Sequence, residues 1–184
     1  MNNRSIAPKA FKRSPSLEIS TWYKGILSTQ LAGAEETGGD FDFVVSNMRK
    51  GTEPPAHVHA RENEFMYVLA GKLSVYVEND TFEIEAGGCM FLPKGRPHAF
   101  IIQSSEIQML VLITPGGFMN AINGMAMPAR KMEIPADDEL TYATSNLEDT
   151  MKVFDKYAVH ILSPEEIARQ MPTFGNLVET RRQP

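Results

Sequence analysis

Two histidines two residues apart, His57 and His59, and a glutamate five residues further on, Glu64, lie in the stretch GTEPPAHVHARENEFMYVLAG, Gly51 to Gly71. In an extended strand the side chains of i and i+2 share a face, so both imidazoles can aim at one point. The polar connection from Ala60 to Asn63 is short enough for a reversal, and EFMYVLAG reads as the returning strand with Glu64 at its start. Two neutral imidazoles and a carboxylate make a borderline-hard site that suits divalent Fe, Mn, Ni, Co or Zn. A further candidate, His98, follows the turn residues Pro93, Gly95 and Pro97 and opens the apolar run HAFII. Three of the chain's four histidines fall in these two stretches. The fourth, His160, is far from them in sequence and reads as a surface or packing residue.

The elements that must position these ligands carry a resemblance. Gly51, His57, His59, Glu64 and Gly71 reproduce the spacing G-x5-H-x-H-x4-E-x6-G, and Gly87, Pro93, Gly95 and His98 reproduce G-x5-P-x-G-x2-H. In this the chain resembles the cupin superfamily, with Ile102 standing where the second motif often ends in Asn. The resemblance implies an all-β fold, a double-stranded β-helix or jelly roll. It also implies one divalent transition metal per chain, held inside by His57, His59, Glu64 and His98.

The residue pattern is compatible with that architecture. KLSVYVEN alternates Leu73, Val75 and Val77 against Ser74, Tyr76 and Glu78, and turn signals recur every eight to twelve residues or so, as in a sandwich or barrel. The reading divides the chain into an N-terminal arm (1–20), a β-barrel (21–114) and a C-terminal segment (115–184) with two short helices packing on the barrel. Thr21–Leu31 is expected as one strand and residues 32–40 as a loop. Ser145 with Glu148 three residues on predicts a capped helix from about Asn146 to Tyr157, and Ser163-Pro164 starts a second that ends before Pro172.

Composition excludes some classes. Hydrophobic content of 42% is enough for a packed core, and a net charge of −5 without a basic stripe argues against nucleic-acid binding. One cysteine, Cys89, leaves no internal disulfide and fits a reducing compartment; it is expected as a small buried packing residue. The apolar runs FMYVLA and MLVLI are too short to span a bilayer, and the N-terminus lacks the apolar core of a secretory signal. A soluble, cytoplasmic protein is expected.

If Glu64 and His98 point inward, Met66 and Val68 share the face of the first, and Phe100 and Ile102 that of the second. Met66, Phe100 and Ile102, with Phe118 beyond the closing strands, are candidates to line an aromatic substrate site, or equally are barrel filling. The Met-rich segment Met119 to Met132 reads as a lid or as ordinary packing. EPPAHVHARENEFMYVLAGKLSVYV, PKGRPHAF and LITPGGF, within roughly residues 45–162, are similar in texture to single-domain quercetinase-type cupins. That resemblance implies a flavonol dioxygenase in which the metal binds the substrate's 3-hydroxyl, Glu64 takes its proton, and O2 opens the heterocycle with release of carbon monoxide. A metal-dependent isomerase or decarboxylase of a small oxygenated acid, or a non-catalytic metal- or small-molecule-binding cupin, is the alternative. Cupins commonly pair through their sheets, so a homodimer is expected.

Overall fold

A computed structural model describes residues 8–136 and 147–182, so Ser145 and the beginning of the arm lie outside the described residues. The expected strand Thr21–Leu31 is two strands. β1 (Ser20–Tyr23) and β2 (Ile26–Ala32) pair antiparallel through Lys24-Gly25, whose φ angles are 47° and 81°. Two successive residues at positive φ give the turn whose twist matches a hairpin, and glycine supplies one at no steric cost. The expected loop after β2 contains a single helical turn, α1 (Ala34–Thr37), closed by Gly38 in the left-handed region.

Eight strands follow in the central region: β3 (Asp42–Arg49), β4 (His57–His59), β5 (Asn63–Ala70), β6 (Lys72–Val77), β7 (Asp80–Glu85), β8 (Cys89–Leu92), β9 (His98–Ile102) and β10 (Glu106–Thr114). The C-terminal part adds α2 (Met119–Met125), β11 (Met127–Pro128), α3 (Leu147–Lys156), β12 (Val159–Ile161), α4 (Pro164–Gln170) and α5 (Pro172–Arg182). The expected helices coincide with α3 and α4; α2 and α5 are further helices. Ser163 caps α4, accepting from Glu166 N–H at 3.2 Å, with Pro164 at the first helical position.

Two antiparallel sheets face each other as a jelly roll. One has the order β11-β1-β2-β3-β10-β5-β8 and the other β12-β4-β9-β6-β7. Between them Val44, Met48, Met66, Val68, Leu73, Val75, Phe100, Ile102, Met109 and Ile113 form the main core. The C-terminal segment is woven into both sheets, because β11 extends one through β1 and β12 lies beside β4.

Edge strand β8 corrects one expectation. Its burial alternates, with Leu92 inside and Cys89 and Phe91 outside, so Cys89 is exposed. Where one face of a sheet is uncovered, every second residue of a strand meets solvent, and the inward set here is Met90 and Leu92. Among the described residues no helix is long and apolar enough to cross a membrane.

Candidate metal centre and its cavity

The centre is assembled from two strand pairings. His57 of β4 lies directly opposite His98 of β9, and the i, i+2 spacing puts His59 on the same side as His57. Ring centroids are 4.4 Å apart for His57 and His98, 5.0 Å for His57 and His59, and 5.9 Å for His59 and His98. Glu64, at the start of β5, approaches from the other sheet, its Oε2 3.9 Å from Nε2 of His59 and 3.7 Å from Nε2 of His98. One ligand atom from each of the four residues lies within 4.8 Å of the others, so the structure brings together His57, His59, Glu64 and His98 as a group that could hold a metal.

The turns named by the sequence motifs fix this register. Gly95 N–H donates to the His59 carbonyl at 2.7 Å and Lys94 N–H to Asn63 Oδ1 at 3.0 Å, tying the turn before β9 to the β4–β5 connection. Glu53 accepts from Gly51 N–H at 2.9 Å and from Ile102 N–H at 2.8 Å, which pins the approach to β4 against the end of β9. On its other side β4 is held by β12, with Val159 opposite His59 and Ile161 opposite His57.

The outer ring nitrogens decide the tautomers. His57 Nδ1 is 2.8 Å from the Pro55 carbonyl and His98 Nδ1 is 3.0 Å from the Arg96 carbonyl. A carbonyl only accepts, so each Nδ1 carries the proton and each Nε2 presents a lone pair to the centre. His98 Nε2 is buried without a hydrogen-bond partner. A buried imidazole nitrogen left open beside two more and a carboxylate fits a divalent ion, because neutral imidazole and carboxylate are its ligand forms.

Electrostatics favour the same forms. Burial, reinforced by the neighbouring His98 and His59, pushes His57 down to about 3, so it is neutral at ordinary pH. Burial alone would raise Glu64, but the His98 imidazole and the other two rings outweigh it and hold the carboxyl at about 2.

Glu62 is a participant that the sequence reading missed. Its Oε2 lies 3.5 Å from His59 Nδ1 with both side chains 3% exposed, and Arg61 Nε lies 3.4 Å from its other oxygen. A glutamate three residues after a ligand, in a polar connection, carries no mark in the sequence that separates it from a solvated loop residue.

The centre opens on a cavity of about 400 Å³ whose wall is mostly apolar. Phe100 and Phe118 line it, whereas Met66 and Ile102 (1% and 0% exposed) sit in the core cluster rather than on the lining. Phe118 stands edge-on to His59, centroids 4.7 Å apart, and contacts Phe154 of α3 at 6.0 Å. Buried Asp42 positions it: Oδ2 accepts from Gly117 N–H at 2.7 Å and Met119 N–H at 3.1 Å, and Oδ1 from Ala34 N–H at 2.9 Å. Met119 and Ile122 of α2 and Met151 and Phe154 of α3 complete that side. Two basic side chains lie away from the centre. Arg96 pairs with Glu78 at 2.8 Å, and exposed His160 with Glu166 at 2.9 Å.

The comparisons agree with this architecture. A cupin-domain family profile matches residues 44–115, which run from β3 to the residue after β10. Quercetin 2,3-dioxygenase of Bacillus subtilis (strain 168) is 27% identical over 109 residues, 59% of this chain and 32% of that protein. The chain therefore spans about a third of the length of that relative. An RmlC-like cupin from Shewanella frigidimarina NCIMB 400 superposes with a TM-score of 0.50 at 19% identity, covering 58% of this chain and 93% of its own. KdgF from Halomonas sp. gives 0.47 at 20% identity over 52% and 83%. Likeness at these identities concerns the fold alone. The profile spans both motifs and the strands of the facing sheets that carry them, so residues 44–115 form a cupin domain.

Proposed function

We propose that His57, His59, Glu64 and His98 hold one divalent transition metal (Fe, Mn, Ni, Co or Zn), and that the protein is a dioxygenase cleaving a flavonol or related aromatic enol with O2. The observation that carries this reading is the convergence of four ligand atoms within 4.8 Å at the wall of a mostly apolar cavity. Its volume, about 400 Å³, falls in the range of small-molecule sites. The activity in the name of the Bacillus subtilis relative supports it over the matched 109 residues.

When bound, the ion supplies Lewis acidity toward the substrate hydroxyl and open positions for substrate and O2. Glu64, held ionised, accepts the hydroxyl proton at a carboxylate oxygen. Phe100, Ile113 and Phe118 pack against the ring faces and exclude water from the reacting carbon atoms. A second reading, an isomerase or decarboxylase of a small oxygenated acid, is favoured by Lys24. Histidines apart, it is the one basic side chain among the described residues of the cavity wall.

A homodimer is part of the proposal. Phe65, Tyr67 and Leu69 of β5 and Phe91 of β8 are 39–53% exposed on adjoining strands, an apolar patch of the kind that marks an interface. Exposed, unpaired Cys89 in the same patch suits a reducing cytoplasm.

The test is oxygen uptake with quercetin, using protein stripped of metal and reloaded separately with each of the five ions. Uptake coupled to loss of the flavonol chromophore, and abolished in His57→Ala, is expected. Stoichiometric metal binding without uptake for any ion would overturn the dioxygenase reading and leave the metal site standing.

A further inference from the structure

Two serines stand side by side in the face that β2 and β3 turn toward the cavity. Ser28 and Ser46 are paired directly across the ladder, are 6% and 9% exposed, and both line the cavity. Neither hydroxyl has a hydrogen-bond partner among the described residues. Other buried hydroxyls in the same molecule are satisfied. Ser20 and Thr29 bond each other at 2.7 Å, and Ser74 accepts from Gln103 at 2.8 Å. The inward neighbours of the pair are Ile26, Val44, Met48 and Met109, which are all apolar. Both hydroxyls open on the cavity rather than being sealed in the wall, so in an otherwise apolar lining they are the groups free to bond a ligand that enters it.

Their place relative to the metal centre follows from the ladder. Glu64 faces Ile113, Met66 faces Val111 and Val68 is opposite Met109 on β10, while Met109 and Val111 face Ser46 and Val44 on β3. Ser46 therefore lies two inward rows along the sheet from Glu64, roughly 13 Å at the usual strand rise, and two strands across it, roughly 10 Å at the usual strand spacing. A molecule that reaches from one to the other is elongated, with a metal-binding oxygen at one end and a polar group at the other.

We propose that Ser28 and Ser46 form a second recognition subsite that hydrogen-bonds phenolic hydroxyls on the ring of the substrate remote from its metal-binding enol. Each serine can donate and accept, and a phenol does the same, so the pair reads a hydroxylated ring in preference to a bare one. The inference deepens the flavonol reading and rests on it.

The experiment compares two probes, quercetin and 3-hydroxyflavone, which share the enol and differ in the ring hydroxyls. Both are titrated under argon into Zn(II)-loaded wild type and into the Ser28→Ala/Ser46→Ala double variant, with zinc content and melting temperature checked in each. Wild type is expected to bind quercetin about tenfold tighter, as two net hydrogen bonds allow. In the double variant that preference collapses to within about twofold, with 3-hydroxyflavone affinity retained. A preference that survives in the double variant, or is missing in wild type, overturns the subsite and leaves the flavonol reading intact. Failure of both flavonols to bind wild type overturns the two together.

Discussion

Oε2 of Glu62 lies 3.5 Å from Nδ1 of His59, with both side chains 3% exposed, while the other two imidazoles of the centre address backbone carbonyls. His59 is thus the one proposed ligand whose outer nitrogen faces a carboxylate, and at this distance neither atom has a hydrogen-bond partner among the described residues. A small approach of the two would give a hydrogen bond that fixes the tautomer and raises the basicity of the ring. Glu62→Leu is expected to weaken metal binding about 10- to 100-fold in chelator competition. Glu62→Gln, which keeps an acceptor oxygen, recovers most of the loss. Equal affinities for wild type and Glu62→Leu would limit Glu62 to holding Arg61.

Acid should destabilise the metal-free protein. His57 is lowered from 6.5 to about 3, so between those values the unfolded chain takes up the proton first. The contribution is whole above pH 6.5 and lost on descent toward 3. Glu64, lowered from 4.5 to about 2, adds a loss of the same sign that begins below 4.5. Each pKa unit corresponds to about 1.4 kcal/mol. Urea midpoints should therefore fall steadily from pH 7 to 4, and a flat profile would count against burial of a neutral His57.

Removing the metal should itself lower stability, because an ion that binds only the folded chain stabilises by mass action. At a free metal concentration about a hundred times Kd the difference is about 2.7 kcal/mol. Calorimetry with and without a chelator should show a lower melting temperature in chelator for wild type. His98→Ala should show almost no difference.

Asp42 connects the barrel to the helix that presents Phe118. It accepts three backbone N–H bonds at 2.7–3.1 Å with a side chain nearly sealed from solvent. Asp42→Ala leaves those donors open and is expected to lower unfolding stability by about 3 kcal/mol. A drop below about 0.5 kcal/mol in urea unfolding would show that water replaces the carboxylate.

The two ligand strands were legible because the signal is local. His57, His59 and Glu64 lie seven positions apart at most, and the strand period sets their faces. His98 announced itself through the Pro-rich turn before it. The break at Lys24-Gly25 was not legible, since a lysine at positive φ gives no turn signal, and β1 and β2 merged into one apolar run. Cys89 was misread because its exposure depends on the outer face of β5 and β8 being uncovered, which is a property of the whole sheet. Asp42, Glu62, Ser28 and Ser46 share that difficulty. Asp42 meets Gly117 seventy-five residues away, and the serines meet only through the β2–β3 register.

The proposed interface predicts a separable variant. Phe91→Glu puts a charge at the centre of the patch formed with Phe65, Tyr67 and Leu69. Sedimentation velocity should give a dimer for wild type and a monomer for the variant, with metal content unchanged. A wild-type monomer at micromolar concentration would remove the homodimer.

The most direct test of the account is an anaerobic titration of stripped protein with Co(II), read by its visible absorption, followed by addition of quercetin. One equivalent per chain should saturate the spectrum, and quercetin should then shift both the cobalt bands and its own absorption. His57→Ala should show neither change. Failure of wild type to take up cobalt would contradict the metal centre, whereas a cobalt spectrum indifferent to quercetin would contradict a flavonol bound at it.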